Sequence, residues 1–153
     1  MNYRIIEGSE KMDLAEIMRL LKMTYWADKR SAEQVSRSIA NSSCYGVYLD
    51  DEKKLIGFAR VISDYATTYY LCDMIIDTDY QHRGFGSALV AYIEVRPEYE
   101  GLRGMLITRD AHSLYEKYGY QVLNDRAMVK GANSSQTACP FRRNGAPIPT
   151  QTA

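Results

Sequence analysis

The sequence predicts an α+β domain, a mixed sheet of about six or seven strands flanked by about four helices. Three observations carry this. The apolar runs Cys44–Leu49 and Leu55–Ser63 are separated only by the polar turn Asp50-Asp51-Glu52-Lys53-Lys54, so these central strands are antiparallel. Helical stripes stand before and after the central strands instead of alternating with them one for one. Finally, 153 residues with 46% hydrophobic and 25% charged residues make one globular domain that needs no disulfide or metal to close its core.

The elements follow in order. Tyr3 to Glu7 reads as a short strand. Leu14, Ile17, Met18 and Leu21 recur at i, i+3, i+4 and i+7, the signature of an amphipathic helix. Ser31 with Gln34 three residues on is a capping box, and Ala32, Val35 and Ile39 form the stripe of the helix it starts. After the hairpin, Thr67–Ile76 is a third, mostly apolar strand. A helix from about Gly84 to Val95 carries Phe85, Leu89, Tyr92 and Ile93, and Pro97 and Gly101 punctuate its exit. Met105–Thr108 is a short strand. Asp110 is placed to cap a helix bearing Ala111, Leu114, Tyr115 and Tyr118, which Gly119 ends. Tyr120–Leu123 and Ala127–Val129 suggest a last hairpin. Residues 1–130 are thus read as the domain. In 131–153 small and polar residues dominate, and a disordered tail is expected.

Composition narrows the function. Nineteen Lys and Arg balance nineteen Asp and Glu, which weighs against a dedicated nucleic-acid binder. No apolar run approaches the roughly 20 residues of a membrane span, and the first residues show no signal-peptide pattern, so the expected compartment is the cytoplasm. Cys44, Cys72 and Cys139 are widely spaced, and with only His82 and His112 beside them no metal site is expected. Tyrosine is the one excess, with 13 copies against 3 Phe and 1 Trp.

The stretch Asp73-Met74-Ile75-Ile76-Asp77-Thr78-Asp79-Tyr80-Gln81-His82-Arg83-Gly84-Phe85-Gly86-Ser87 carries the chemistry. A strand runs through a turn into a helix whose start holds two glycines. Unpaired N–H groups at such an end, with the helix dipole and missing Cβ atoms, suit a pyrophosphate. Arg83 adds charge. Spacing alone fits a plain strand-to-helix turn equally well, since the Walker loop's Gly-Lys-Ser/Thr is absent and Leu89 replaces the third glycine of a dinucleotide fingerprint.

Gln81-x-x-Gly84-x-Gly86 after an apolar strand resembles the acetyl-CoA-binding motif of the GNAT superfamily of N-acetyltransferases. Ala111-His112-Ser113-Leu114-Tyr115-Glu116-Lys117-Tyr118-Gly119-Tyr120 resembles a second segment of that family, and Ile56-Gly57-Phe58-Ala59-Arg60 its third strand. The resemblance implies a twisted sheet splayed between its fourth and fifth strands, here Thr67–Ile76 and Met105–Thr108, with acetyl-CoA in the gap as cosubstrate. It implies that Gln81, His82, Arg83, Gly84, Phe85, Gly86 and Ser87 hold the pyrophosphate. Main-chain groups around Met74 and Ile76 would pair with the pantetheine arm, and the amide near Met74 would face the thioester oxygen. Tyr115, which periodicity alone assigns to the core, would be the acid that protonates the departing thiolate.

The base is open. The register where some relatives carry a glutamate holds Tyr70. Asp73, charged within an apolar strand, is either a base or anchor for the acceptor amine, or a structural partner of neighbouring loops. Arg60 and Asp64 are expected to pair with each other or face water, and His112 to lie on the exposed side of its helix. Tyr25 and Trp26 either line the acceptor site or cap the first helix. Thr108 replaces a frequent Asn.

The expected activity is transfer of acetyl from acetyl-CoA to a primary amine of a small molecule, directly, since no cysteine lies in either motif. The alternatives are an acyl-CoA sensor that does no chemistry and an acetyltransferase acting on protein or peptide amines. A homodimer is compatible with the family.

Overall fold

The structure, a computed structural model, describes residues 2–130. The expected tail 131–153 and Cys139 lie outside the described residues. One compact unit runs to Gln121. Its strands are β1 (Tyr3–Glu7), β2 (Ser43–Leu49), β3 (Lys54–Ser63), β4 (Thr68–Ile76) and β5 (Arg103–Met105). Its helices are α1 (Leu14–Leu21), α2 (Ala32–Ala40), α3 (Phe85–Glu94) and α4 (His112–Glu116).

The strands form a single sheet in the order β1-β2-β3-β4-β5. β1 to β4 are antiparallel neighbours, and β5 joins β4 in parallel. Local chemistry sets the helix starts. The Asp13 side chain accepts from the Ala15 amide to open α1, and the capping box of Ser31 and Gln34 opens α2 with both bonds made.

The sheet buries both faces. On one, Ile17, Leu20 and Leu21 of α1 and Val35 of α2 pack on Phe58 and Ile75. On the other, Leu89, Val90 and Ile93 of α3 pack on Val47, Ile56, Ala59 and Leu71. Burying two faces explains why the central strands read as nearly continuous apolar runs.

Two irregularities shape the region that matters for function. The first is a bulge. Phe58 pairs with Ile75 and Arg60 with Cys72, so one residue of β3, Ala59, faces two of β4, Asp73 and Met74. Asp73 takes φ 53°, the left-handed conformation that Asp tolerates better than most residues. The extra residue shifts the alternation. Leu71, Met74 and Ile76 all meet the α3 side, and Ile75 meets the α1 side.

The second is a parting of strands. β5 pairs with β4 only at Thr68, Tyr69 and Tyr70, leaving Leu71–Ile76 without a ladder partner on that edge.

Three expectations need correction. The sheet has five strands, not six or seven, among the described residues. Residues 121–130 form no strand and are exposed at every position, so they offer no face to bury. β5 starts two residues before the expected Met105, because the Arg103 amide already donates to the Thr67 carbonyl at 3.1 Å and the ladder ends where the strands part. Finally, Asp110 does not cap α4. The N-cap position is Ala111 and no side chain caps the helix, while Thr108 Oγ1 accepts from the Ala111 amide at 3.0 Å just ahead of it.

A tyrosine cluster fixes the point of parting. The Tyr69 hydroxyl donates to Glu94 at 2.9 Å, and the Tyr120 hydroxyl lies 2.8 Å from Glu94 and 3.0 Å from the Tyr69 hydroxyl. Gly104 of β5 passes beneath them. A Cβ there would sit 2.5 Å from the Tyr69 oxygen and 2.8 Å from the Tyr120 oxygen. Gly104→Ala is therefore expected to destabilise the protein by about 1–3 kcal/mol, the usual cost of overpacking, seen as a lower urea midpoint.

Candidate active site

The site is built where β4 turns into α3. The Gln81 side chain donates to the Ile76 carbonyl at 3.0 Å and braces the turn. Tyr80 is buried beneath it, with the Arg83 guanidinium 5.4 Å and the Lys54 ammonium 5.0 Å from its ring centroid. His82 adopts φ 60° and Gly84 φ 86°, so the chain reverses sharply before the helix. The first bond within α3 is from the Ala88 amide to the Gly84 carbonyl. The amides of Phe85, Gly86 and Ser87 have no acceptor in the helix, and this end carries neither a capping side chain nor an acidic residue. It is an electropositive end left open for an anion.

Gly86 shows where that opening leads. A Cβ on it would lie 3.7 Å from Met74 Cε, 3.7 Å from Ile76 Cγ1 and 4.0 Å from Leu114 Cδ2. Gly86 thus lies at ordinary contact distance from the unpaired end of β4 and from α4. The turn that follows α4 is tied to α3, because the Tyr118 hydroxyl donates to the Ser87 carbonyl at 2.9 Å. Met74, Ile76, Gly84, Phe85, Gly86 and Ser87 are brought together here. Gln81 braces the loop through its side-chain bond to the Ile76 carbonyl, and Arg83 lies against Tyr80.

Tyr115 sits on α4 with its ring buried in the α3-side core, edge-on to Tyr120 at 6.0 Å. Its hydroxyl makes no hydrogen bond with any described group, and no buried side-chain polar atom among the described residues lacks a partner, so that hydroxyl keeps access to solvent. Burial, with the charge of Asp110 adding, pushes the phenol up to about 12. It holds its proton at neutral pH.

On the opposite face lies Asp73, buried to 6% exposure. Its Oδ2 accepts from Arg30 Nη1 and from Arg60 Nε, both at 2.6 Å. Burial pushes the carboxyl upward, but the hydrogen bonds and charges of Arg30 and Arg60 outweigh it and hold Asp73 below the usual carboxylate range. Asp77 is treated alike. Arg19 and Lys54 reach its Oδ2 at 2.6 and 3.3 Å, and their effect overcomes burial to lower its pKa.

Of the two expected outcomes for Arg60 and Asp64, mutual pairing is not made, whereas Asp64 is exposed to water. Asp64 instead accepts the Ala66, Thr67 and Thr68 amides and the Thr67 hydroxyl, closing its own turn. Trp26 packs on the α1-side core, whereas Tyr25 is exposed beneath the Arg109 guanidinium, 4.1 Å from its ring centroid. That contact runs from the α1–α2 loop to the loop after β5. His112 is exposed, as expected. Burial pushes the thiols of Cys72 and Cys44 up to about 12 and about 11, so neither is a ready nucleophile. Sequence reasoning missed Arg30, Arg19 and Asp77, whose partners lie 43 and 58 residues away along the chain.

A family model for the acetyltransferase (GNAT) domain matches residues 41–122, from the end of α2 through α4. The chain belongs to the GNAT acetyltransferase family. A protein of that family from Xanthomonas campestris pv. campestris is 32% identical, with a TM-score of 0.80 over 88% of this chain and 96% of that one. An N-acetyltransferase ycf52-like protein of Prochlorococcus marinus, itself uncharacterized, is 30% identical over 114 residues, 71% of this chain. The chain spans 63% of the length of that relative. An acetyltransferase from Clostridium acetobutylicum, solved with acetyl-CoA, shares the fold at a TM-score of 0.65 and 10% identity, over 84% of this chain and 96% of that one. No helix of the described residues is long and apolar enough to cross a membrane, and no group of three or more His, Cys, Asp or Glu among them could hold a metal ion.

Asp73→Asn should expose the worth of the buried carboxylate. Removing its charge leaves the guanidiniums of Arg30 and Arg60 uncompensated, and the expected loss is about 3 kcal/mol at neutral pH. A carboxyl whose folded pKa is depressed contributes stability above its unfolded value, near 4, and loses it as pH falls through the folded value. The urea midpoints of wild type and variant should therefore differ by a constant amount above about pH 5 and converge below about pH 4.

Proposed function

We propose that this GNAT domain is an acetyl-CoA-dependent N-acetyltransferase that acetylates a primary amine of a small molecule by direct transfer. One observation carries it. The open, uncapped end of α3 packs beside Met74, Ile76 and Leu114, next to a β4 edge that has lost its ladder partner. A pyrophosphate fits the free amides of Phe85, Gly86 and Ser87. The amide groups of a pantetheine arm fit the unpaired β4 edge, as an added strand would. The acetyl-CoA named for the Clostridium acetobutylicum relative supports the same ligand here.

Acetyl-CoA supplies the activated acyl group. The chain supplies orientation, an amide near Met74 aimed at the thioester oxygen, and a proton held on the Tyr115 hydroxyl for the leaving thiolate. Asp73 suits the base role poorly, since two arginines hold it ionised and weakly basic. Its task in this reading is to hold the bulge that presents Met74. The high thiol pKa values of Cys44 and Cys72 favour direct attack by the amine over an acyl-enzyme. Free-thiol release from acetyl-CoA across a panel of amines tests the reading. Tight binding with no release on any amine would instead indicate a sensor.

Two substitutions separate the parts. Gly86→Ala adds a methyl at ordinary contact distance from its neighbours, within a helix where Ala is preferred to Gly. The melting temperature should hold or rise, while acetyl-CoA affinity measured by calorimetry falls. Tyr115→Phe removes one hydroxyl with no bonded partner and keeps the ring that packs on Tyr120. Stability should stay close to wild type, and single-turnover transfer should slow by about 100-fold to 10,000-fold, the range of general-acid assistance. A variant within about threefold of wild type would remove Tyr115 from that role.

A further inference from the structure

The ionic clusters of the described residues are balanced or acidic, with one exception. Arg19 and Lys54 meet Glu16 and Asp77, and Arg96 meets Glu7 and Glu98. Arg4, Arg37 and Arg109 each meet one carboxylate. Only the cluster at the β4 bulge holds more cations than anions, Arg30 and Arg60 against Asp73. It is also sheltered, with side-chain exposures of 29%, 12% and 3% for Arg30, Arg60 and Asp73. A surplus charge in a partly desolvated place is costly unless an anion completes it.

The cluster's unused valences are specific. Both arginines bond the same oxygen, Oδ2, leaving Oδ1 of Asp73 without a described donor and leaving further guanidinium N–H groups on each arginine. Tyr70, half-buried and within the field of the same three residues, presents a hydroxyl with no described partner. The place matters too. Asp73 is adjacent in the chain to Met74, on the face of the sheet opposite α3. Arg30 comes from the loop between α1 and α2, whose Tyr25 reaches across to Arg109 beyond β5. That loop therefore stands over the parted strands on the face opposite α3, the side that the acetyl-transfer reading leaves to the acceptor because it sets the cofactor against α3.

We infer that the acceptor is a small amine carrying an oxyanion within a few bonds of its nitrogen, the amine directed by Asp73 Oδ1 and the oxyanion bound by the remaining N–H groups of Arg30 and Arg60. The inference rests on the acetyl-transfer reading and names its substrate class. It disfavours diamines and polyamines, whose second cation would meet the surplus charge. An α- or β-amino acid and a phosphate-bearing amine share the required chemistry.

The test compares β-alanine, its amide, O-phosphoethanolamine and putrescine as acceptors, by thiol release from acetyl-CoA. The expected result is a kcat/KM at least tenfold higher for one of the two oxyanion amines than for the amide and putrescine, and which of the two leads identifies the oxyanion. Arg30→Gln, which leaves Asp73 still paired with Arg60, should collapse that ratio by about tenfold, and Arg30→Lys should restore part of it. The amide or putrescine leading, or a ratio unchanged in Arg30→Gln, would overturn the inference while leaving acetyl transfer standing. Should no amine support release, calorimetry with N-acetyl-β-alanine in the presence of coenzyme A decides. Binding that Arg30→Gln abolishes upholds the oxyanion site and moves the failure to the transfer reading. Absence of binding overturns the site.

Discussion

Asp73 combines two costs at one position. Its backbone is left-handed, which costs a non-glycine residue about 1–2 kcal/mol, and its carboxylate is buried. Arg60 from β3 and Arg30 from the α1–α2 loop offset both with short bonds to one oxygen. Most of the site depends on this arrangement. The bulge turns Met74 toward the α3 side, and the arginine from the loop draws that loop over the strands at the point where they diverge. An ion pair remote in sequence thus sets the relation between the two faces of the sheet.

The α3 side is organised by a different device, the tyrosine hydroxyl. Tyr45 meets Tyr99 at 2.8 Å, Tyr69 and Tyr120 share Glu94, and Tyr118 ties the turn after α4 to the first turn of α3. Each ring contributes to the apolar core and each hydroxyl finds a partner at its rim. The tyrosine excess in the composition is therefore structural for the most part. Against that background Tyr115 stands out, its ring packed like the others and its hydroxyl unclaimed.

The parts of the fold and site that were legible in the sequence are the local ones. The α2 capping box, the helical stripes and the glycines at the start of α3 are set by residues a few positions apart, and spacing reveals them. The two motif segments that mark the family are likewise continuous. What escaped is long-range. Nothing near Arg30 announces that it pairs with a residue 43 positions on, and Arg60 read more naturally with the nearby Asp64. The extra residue in β4 shows locally only as the charged Asp73 within an apolar run, because a run buried on both faces has no alternation for a bulge to interrupt. The expected last hairpin failed for the converse reason. Val122, Leu123, Met128 and Val129 have strand-like character, but a strand also needs a partner and a face to bury.

The bulge also fixes a length. Upstream of it, Tyr69 and Leu71 face α3, and downstream Met74 and Ile76 do so only because one residue is out of step. Removing a single residue between Leu71 and Met74 would restore a regular strand. The Asp73 carboxylate would then have no place beside its arginines, or the downstream residues would exchange faces. An insertion would do the same in the other direction. Surface loops such as that between β2 and β3 tolerate added or lost residues, whereas the path from Tyr70 to Gly84 tolerates change of residue type far better than change of number. Variation in this segment should therefore take the form of substitutions, never of altered length.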